Sequence, residues 1–212
     1  VIVANKLGAI NASKFDKIGY LGYPFSISEN FQMRNTNKTI KDSEKELAEI
    51  ISIAEKVNKK VVVYLSMCFG NPYGDPWNLD IVNHWVYKLS KMGVKIISLS
   101  DTIGTSNPES IKSIFYSVLK NHIDIEFGAH LHSDPSTWYN KIHSAFEAGC
   151  RRFDGAIKGF GGCPMASNKL VGNMPTEKIL SYLNSKKIHN NVSSLRFESC
   201  YNQSLEVFNK FH

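Results

Sequence analysis

Apolar positions change period along the chain, and those changes mark its elements. In SEKELAEIISIAEKVNKK, Leu47, Ile50, Ile51, Ala54 and Val57 recur at helical spacing and predict one buried helix face. VVVYLSMCF follows as nearly continuous apolar sequence, the pattern of a parallel strand covered on both sides. The alternation then repeats. Val82, Trp85, Val86 and Leu89 mark a helix that ends at Gly93, KIISLSDTIG reads as a strand with its C-terminal loop, and Asn107-Pro108 caps a helix with Ile111, Ile114, Phe115 and Val118 inward. IEFGAHLH reads as a strand, Asp134-Pro135 starts a helix through Phe146, and RRFDGAI is the last strand. A helix starts near Thr176, and NQSLEVFNK is a candidate for another. At the beginning, VIVAN and IGYLGYPFS read as strands, with a helix from Ala9 to Lys14 between them.

Six strands in β-α order predict a parallel sheet, either doubly wound or closed as a barrel. The polar candidates gather at strand C-termini: Ser26 and Ser28, Ser66, Asp101, His130 and His132, and the loop leading to Asn173. Barrels of alternating strands and helices carry their chemistry on that rim, and no dinucleotide fingerprint follows any strand. The Phe31-Gln32-Met33-Arg34-Asn35 segment follows a strand end beside the same rim.

Composition narrows the class. A chain of 212 residues with 42% hydrophobic and 21% charged residues is an ordinary globular composition with enough length for a sizeable core. Four cysteines without a C-x-x-C pair fit a reduced, cytoplasmic setting. No apolar run reaches the length of a membrane span and no charged leader precedes an apolar core, so no membrane partner is expected. The net charge of +6 comes from lysines scattered over helix faces, without a basic stripe, so no nucleic-acid partner is expected either. That excess suits an anionic, phosphorylated ligand.

His130 and His132 are two residues apart at a strand end, so both imidazoles fall on one face. They read either as a metal pair or as hydrogen-bonded structural histidines. Gly159, Gly161 and Gly162 surround Phe160 and lead into Cys163-Pro164, a turn that presents a thiol able to donate a proton near neutrality. Asp101 reads equally as a turn aspartate beside Thr102 and Gly104, Glu177 as a first-turn helix acid, and Asn173 as a loop amide. Cys68, Cys150 and Cys200 read as small apolar fillers.

Taken together, GFGGCPMA followed by Asn173, with DTIG and His-x-His upstream, resembles the 3-hydroxy-3-methylglutaryl-CoA lyase family through nearly the whole chain. The resemblance implies a (β/α)₈ TIM barrel, present here as a partial barrel of about the last six β/α units, with residues 1–212 as one catalytic domain. It implies a carbon-carbon lyase that cleaves the acyl-CoA to acetoacetate and acetyl-CoA by retro-Claisen chemistry, as in leucine degradation and ketone body metabolism. It also implies a divalent cation, Mg²⁺ or Mn²⁺, held by His130, His132 and Asn173, with Cys163, Asp101 and His130 as catalytic groups. A homodimer is compatible with it. The family's first two strands, and the Arg-Asp pair on the first of them, have no counterpart in this chain, so the isolated chain is expected to be inactive. After His132, SDPSTW departs from the family's Asp-Thr-x-Gly run, and the spacing from Cys163 to Asn173 is one residue longer. A condensing enzyme of the isopropylmalate or homocitrate synthase kind, and an inactive ligand-binding remnant, are the alternatives.

Overall fold

The computed structural model describes residues 1–162 and 171–209. Five parallel strands lie side by side in chain order: β1 (Tyr20–Ser26), β2 (Lys60–Ser66), β3 (Ile96–Ser100), β4 (Glu126–His130) and β5 (Arg152–Phe153). The helices are α1 (Lys6–Ser13), α2 (Glu29–Thr36), α3 (Ile40–Lys56), α4 (Leu79–Lys91), α5 (Pro108–Asn121), α6 (Trp138–Glu147), α7 (Thr176–Ser185) and α8 (Ser194–Phe208), with a 3₁₀ turn at Ile157–Gly159.

The strands form where apolar runs are covered. Every residue of β3 from Ile96 to Ser100 is buried, because α3, α4 and α5 lay their apolar stripes over the sheet. Those stripes are the ones read from periodicity, except that Val57 lies just past the end of α3 and is exposed: Leu47, Ile50, Ile51 and Ala54 on α3, Val82, Val86 and Leu89 on α4, and Ile111, Ile114, Phe115 and Val118 on α5. Asn107 and Ser110 close a reciprocal capping box at the start of α5. Trp85 is only half-buried, its ring tilted against Phe25 at 5.3 Å.

Several boundaries differ from the sequence expectation, each for a local reason. The first expected strand is reduced to an edge segment: Gly22 N donates to Val1 O and Val3 N to Gly22 O, both at 2.8 Å, around a single bridge between Ile2 and Gly22. Gly22 permits that approach, since a Cβ there would sit 2.7 Å from Ile2 Cδ1 and 2.8 Å from Tyr64 Cε2. Helix α2 was not expected; the Ser28 hydroxyl accepts from Phe31 N and starts it. Helix α6 begins at Trp138 rather than Asp134, because Asp134 Oδ1 accepts from Ser136 N and Thr137 N and makes a turn ahead of the helix. The last helix starts at Ser194, capped by the Ser193 hydroxyl.

Register sets the rim. Ser26 pairs with Ser66 and Ser100 pairs with His130, so four strands end at one level. Among the described residues, β5 pairs only with β4 and the Val1–Val3 segment only with β1, so the sheet does not close on itself.

Candidate active site

At that rim lies a cleft of about 810 Å³ whose walls include Tyr64, Ser66, His130, His132, Asp154 and Asn173. The His130 and His132 rings are 5.6 Å apart. His132 is buried, and its Nδ1 lies 3.0 Å from the Val171 carbonyl. A carbonyl only accepts, so Nδ1 carries the hydrogen and Nε2 keeps its lone pair. Burial, and next the nearby His130, push the His132 pKa below the usual imidazole value. The ring is therefore neutral at physiological pH, the form that binds a cation.

His130 meets the ring of Tyr64 edge-on at 5.3 Å, and its Nδ1 lies 3.4 Å from Asp154 Oδ2. That is ion-pair range without hydrogen-bond alignment, and His130 Nδ1 has no hydrogen-bond partner. Asp154 accepts a 2.8 Å hydrogen bond from Ser98. Burial pulls its pKa up, but His130, Ser98 and Arg152 outweigh burial and hold it below the ordinary carboxylate value. The cleft thus contains an anionic carboxylate.

Asn173 is positioned by backbone. It bridges His132 in antiparallel fashion, flanked by Ser133 N donating to Gly172 O and Met174 N donating to Leu131 O. Its Nδ2 donates to Phe160 O at 2.9 Å, which leaves Oδ1 as a neutral oxygen donor. The glycine turn makes room for this. At Gly159, where φ is +68°, an added Cβ would lie 2.6 Å from Asn173 O. Gly162 lines the cleft. Cys163, the residue after it, lies outside the described residues.

The other sequence candidates fall elsewhere. Asp101 is fully buried away from the cleft lining, where its carboxylate accepts from Ser106 N, Ser106 Oγ and Lys141 Nζ. Glu177 stands in the first turn of α7 and its Oε2 accepts from Lys158 N at 3.0 Å, which ties the 3₁₀ turn to the helix. Ser26 Oγ accepts from Ser28 N, while Ser66 stands on the cleft wall. From α2, Phe31 and Asn35 reach the cleft, and buried Gln32 accepts from Ser26 N at 2.7 Å. Asp154, Tyr64 and Lys141 were not singled out from sequence. The signal for Asp154 was its place directly after a strand, hidden because RRFDGAI reads as strand throughout.

Among the described residues, no three His, Cys, Asp or Glu side chains converge as a metal cluster. A cation here would draw on two imidazoles and the Asn173 amide, a mixed nitrogen and oxygen donor set of the kind that holds a divalent cation.

Parallel β/α units with polar side chains at the C-terminal rim define the class, a partial (β/α)₈ barrel with a cleft at that rim. The profile of the HMGL-like family matches residues 22–202, and the chain belongs to that family. It is 32% identical over 167 residues to the hydroxymethylglutaryl-CoA lyase YngG of Bacillus subtilis, covering 79% of this chain and 56% of that protein. It is likewise 32% identical over 165 residues to the cytoplasmic 3-hydroxy-3-methylglutaryl-CoA lyase of Rattus norvegicus, covering 78% of this chain and 48% of that protein. The chain thus spans about half the length of these relatives. The crystal structure of the Bacillus subtilis HMG-CoA lyase superposes with a TM-score of 0.89 at 29% identity, over 98% of this chain and 69% of that one. An HMG-CoA lyase of Acinetobacter baumannii in complex with coenzyme A and 3-methylmalate gives 0.87 at 25%, over 98% and 67%. The carboxyl transferase domain of Rhizobium etli pyruvate carboxylase, at 0.66 and 15%, shares the fold alone.

Proposed function

We propose that this chain carries the metal and thiol side of a lyase site that cleaves 3-hydroxy-3-methylglutaryl-CoA to acetoacetate and acetyl-CoA. The observation that carries the reading is the neutral His132 imidazole, fixed by the Val171 carbonyl, facing one cleft with His130 and the Asn173 amide. A divalent cation, Mg²⁺ or Mn²⁺, bound there supplies Lewis acidity toward the substrate's hydroxyl.

The chain's own groups do the rest. His132 and Asn173 hold their places through backbone pairing, so the donors are organised before substrate arrives. His130, whose lone pair would go to the cation, stands beside Asp154, the anionic carboxylate placed to take the proton of the tertiary hydroxyl as the carbon-carbon bond breaks. Cys163, next in sequence to Gly162 on the cleft wall, returns a proton to the departing acetyl-CoA carbon. Asp101 acts through Lys141 and not on the substrate. The acyl-CoA is the expected partner and the three described cysteines, all free thiols, suit a reduced compartment. No helix among the described residues is long and apolar enough to cross a membrane.

The chain alone is expected to bind metal weakly and to release no acetyl-CoA. Among the described residues its sheet is open at both edges, and the three groups that would hold the cation, His130, His132 and Asn173, carry no negative charge. The test joins this chain to the part of the Bacillus subtilis lyase that the match leaves out and follows acetyl-CoA release with Mn²⁺. Release that depends on Cys163 and His132 supports the reading. A soluble chimera that binds coenzyme A and Mn²⁺ yet releases nothing contradicts it.

A further inference from the structure

A charged pair lies buried inside the rim without touching the cleft. Lys141 projects from α6 with its side chain only 4% exposed, against an Asp101 side chain that is 0% exposed. Its ammonium has three donors and uses all of them: Asp101 Oδ2 at 2.7 Å, Gly104 O at 2.9 Å and His132 O at 2.8 Å. Asp101 in turn accepts from Ser106 N at 3.0 Å and from Ser106 Oγ at 2.5 Å. No proton on Lys141 remains for a substrate, and Asp101 is not among the residues that line the cleft.

The three acceptors belong to different rim segments. Asp101 directly follows β3, Gly104 lies in the β3–α5 loop, and His132 follows β4. His132 is held at two points, its carbonyl by Lys141 and its imidazole Nδ1 by Val171 O, and it pairs across to Asn173. Gly104 sits against the same support, with a Cβ built there only 2.8 Å from Val171 Cγ1. Any shift in the Lys141 ammonium therefore moves the peptide of His132, and with it the imidazole and the facing amide. A buried ion pair contributes little net stability against apolar residues of the same size, so stability alone does not account for this arrangement.

We propose that Lys141 is a positioning residue: by bridging Asp101, Gly104 O and His132 O, it fixes the His132 imidazole in the orientation that presents Nε2 to the cleft. The assignment rests on the proposed metal site for its consequence but not for its geometry. Lys141 is not a catalytic group, because it reaches neither the cleft nor a reacting atom. Asp101 has the same indirect part, as the counter-charge that holds the ammonium in place.

The experiment uses the 212-residue chain labelled with ¹⁵N-histidine and reads the His132 ring by long-range ¹H–¹⁵N correlation. A second readout is Mn²⁺ affinity from the free-ion EPR signal. The informative variant is Lys141→Met with Asp101→Asn, which removes both charges together and leaves none buried alone. The wild-type ring should show the single Nδ1–H form. In the paired variant that signal should split or shift toward a mixture of tautomers, and the Mn²⁺ dissociation constant should rise about 10-fold or more, the usual loss when the support of a ligand is removed. An unchanged His132 signal in a folded paired variant overturns the proposal. An unfolded paired variant also overturns it, since the link would then be needed for folding and not for placing His132. If the wild type shows no His-dependent Mn²⁺ binding, the metal reading fails, and the ring signal still decides the role of Lys141.

Discussion

Breaking the buried pair from one side should cost far more than removing it from both. In Lys141→Met, Asp101 keeps its two Ser106 donors but loses its counter-charge at 2.7 Å, and the carbonyls of Gly104 and His132 lose theirs. At an effective dielectric constant near 20, opposite charges at that separation attract by roughly 6 kcal/mol before desolvation is subtracted. One-sided breaks of such pairs cost about 3–5 kcal/mol, and we expect Lys141→Met to fall in that range. Lys141→Met with Asp101→Asn removes the stranded charge and buries a side chain of similar length, so its cost should be about 1–2 kcal/mol. The coupling between the two changes is then about 2 kcal/mol or more in magnitude, well outside additivity. Urea unfolding at low temperature, with fluorescence and circular dichroism giving coincident transitions, measures all four corners of the cycle. Additive losses, or a single variant within about 1 kcal/mol of wild type, would refute the claim that the ammonium is held by charge inside the rim.

Thiol chemistry should separate the described cysteines. Burial pushes the Cys68 and Cys150 pKa values up to about 12, whereas Cys200 is exposed on α8. Mapping iodoacetamide adducts on the native chain at mildly alkaline pH should find Cys200 modified and Cys68 and Cys150 protected until denaturant is added. For Asp75, partial burial raises the carboxyl pKa, but hydrogen bonds from Ser28 and Asn30 outweigh it and hold the group below its usual range. A depressed folded pKa adds stability above the unfolded value, and that stability is lost as pH falls through the folded value. The stability gap between wild type and Asp75→Asn should therefore shrink as pH drops below about 4, and a gap that holds constant down to about pH 2.5 would remove Asp75 from the acid response.

Much of the fold was legible because burial imposes simple periods. The stripes of α3, α4 and α5 and the covered runs of β2 and β3 contact the core as their spacing requires. Local hydrogen-bond chemistry was harder to read. Helix α2 depends on one serine cap in a polar segment, and the start of α6 depends on an Asp134 turn that competes with the helix. In the site, His-x-His was readable because period two puts both rings on one face. Asp154 was not, since its pairing with His130 joins two neighbouring strands whose register no local pattern reveals. Lys141 was hidden for the opposite reason: one lysine on an amphipathic helix reads as solvated surface. Only the structure shows that this one turns inward.

If His130, His132 and Asn173 form a cation site in the rim cleft, Mn²⁺ titration of the 212-residue chain followed by EPR will register it. We predict weak but saturable binding of one ion per chain in the wild type. Binding should fall sharply in either His130→Ala or His132→Ala, and less in Asn173→Ala, with the melting temperature of each variant confirming a folded state. Stoichiometric Mn²⁺ binding that persists unchanged in the folded His130→Ala/His132→Ala double variant would contradict the account.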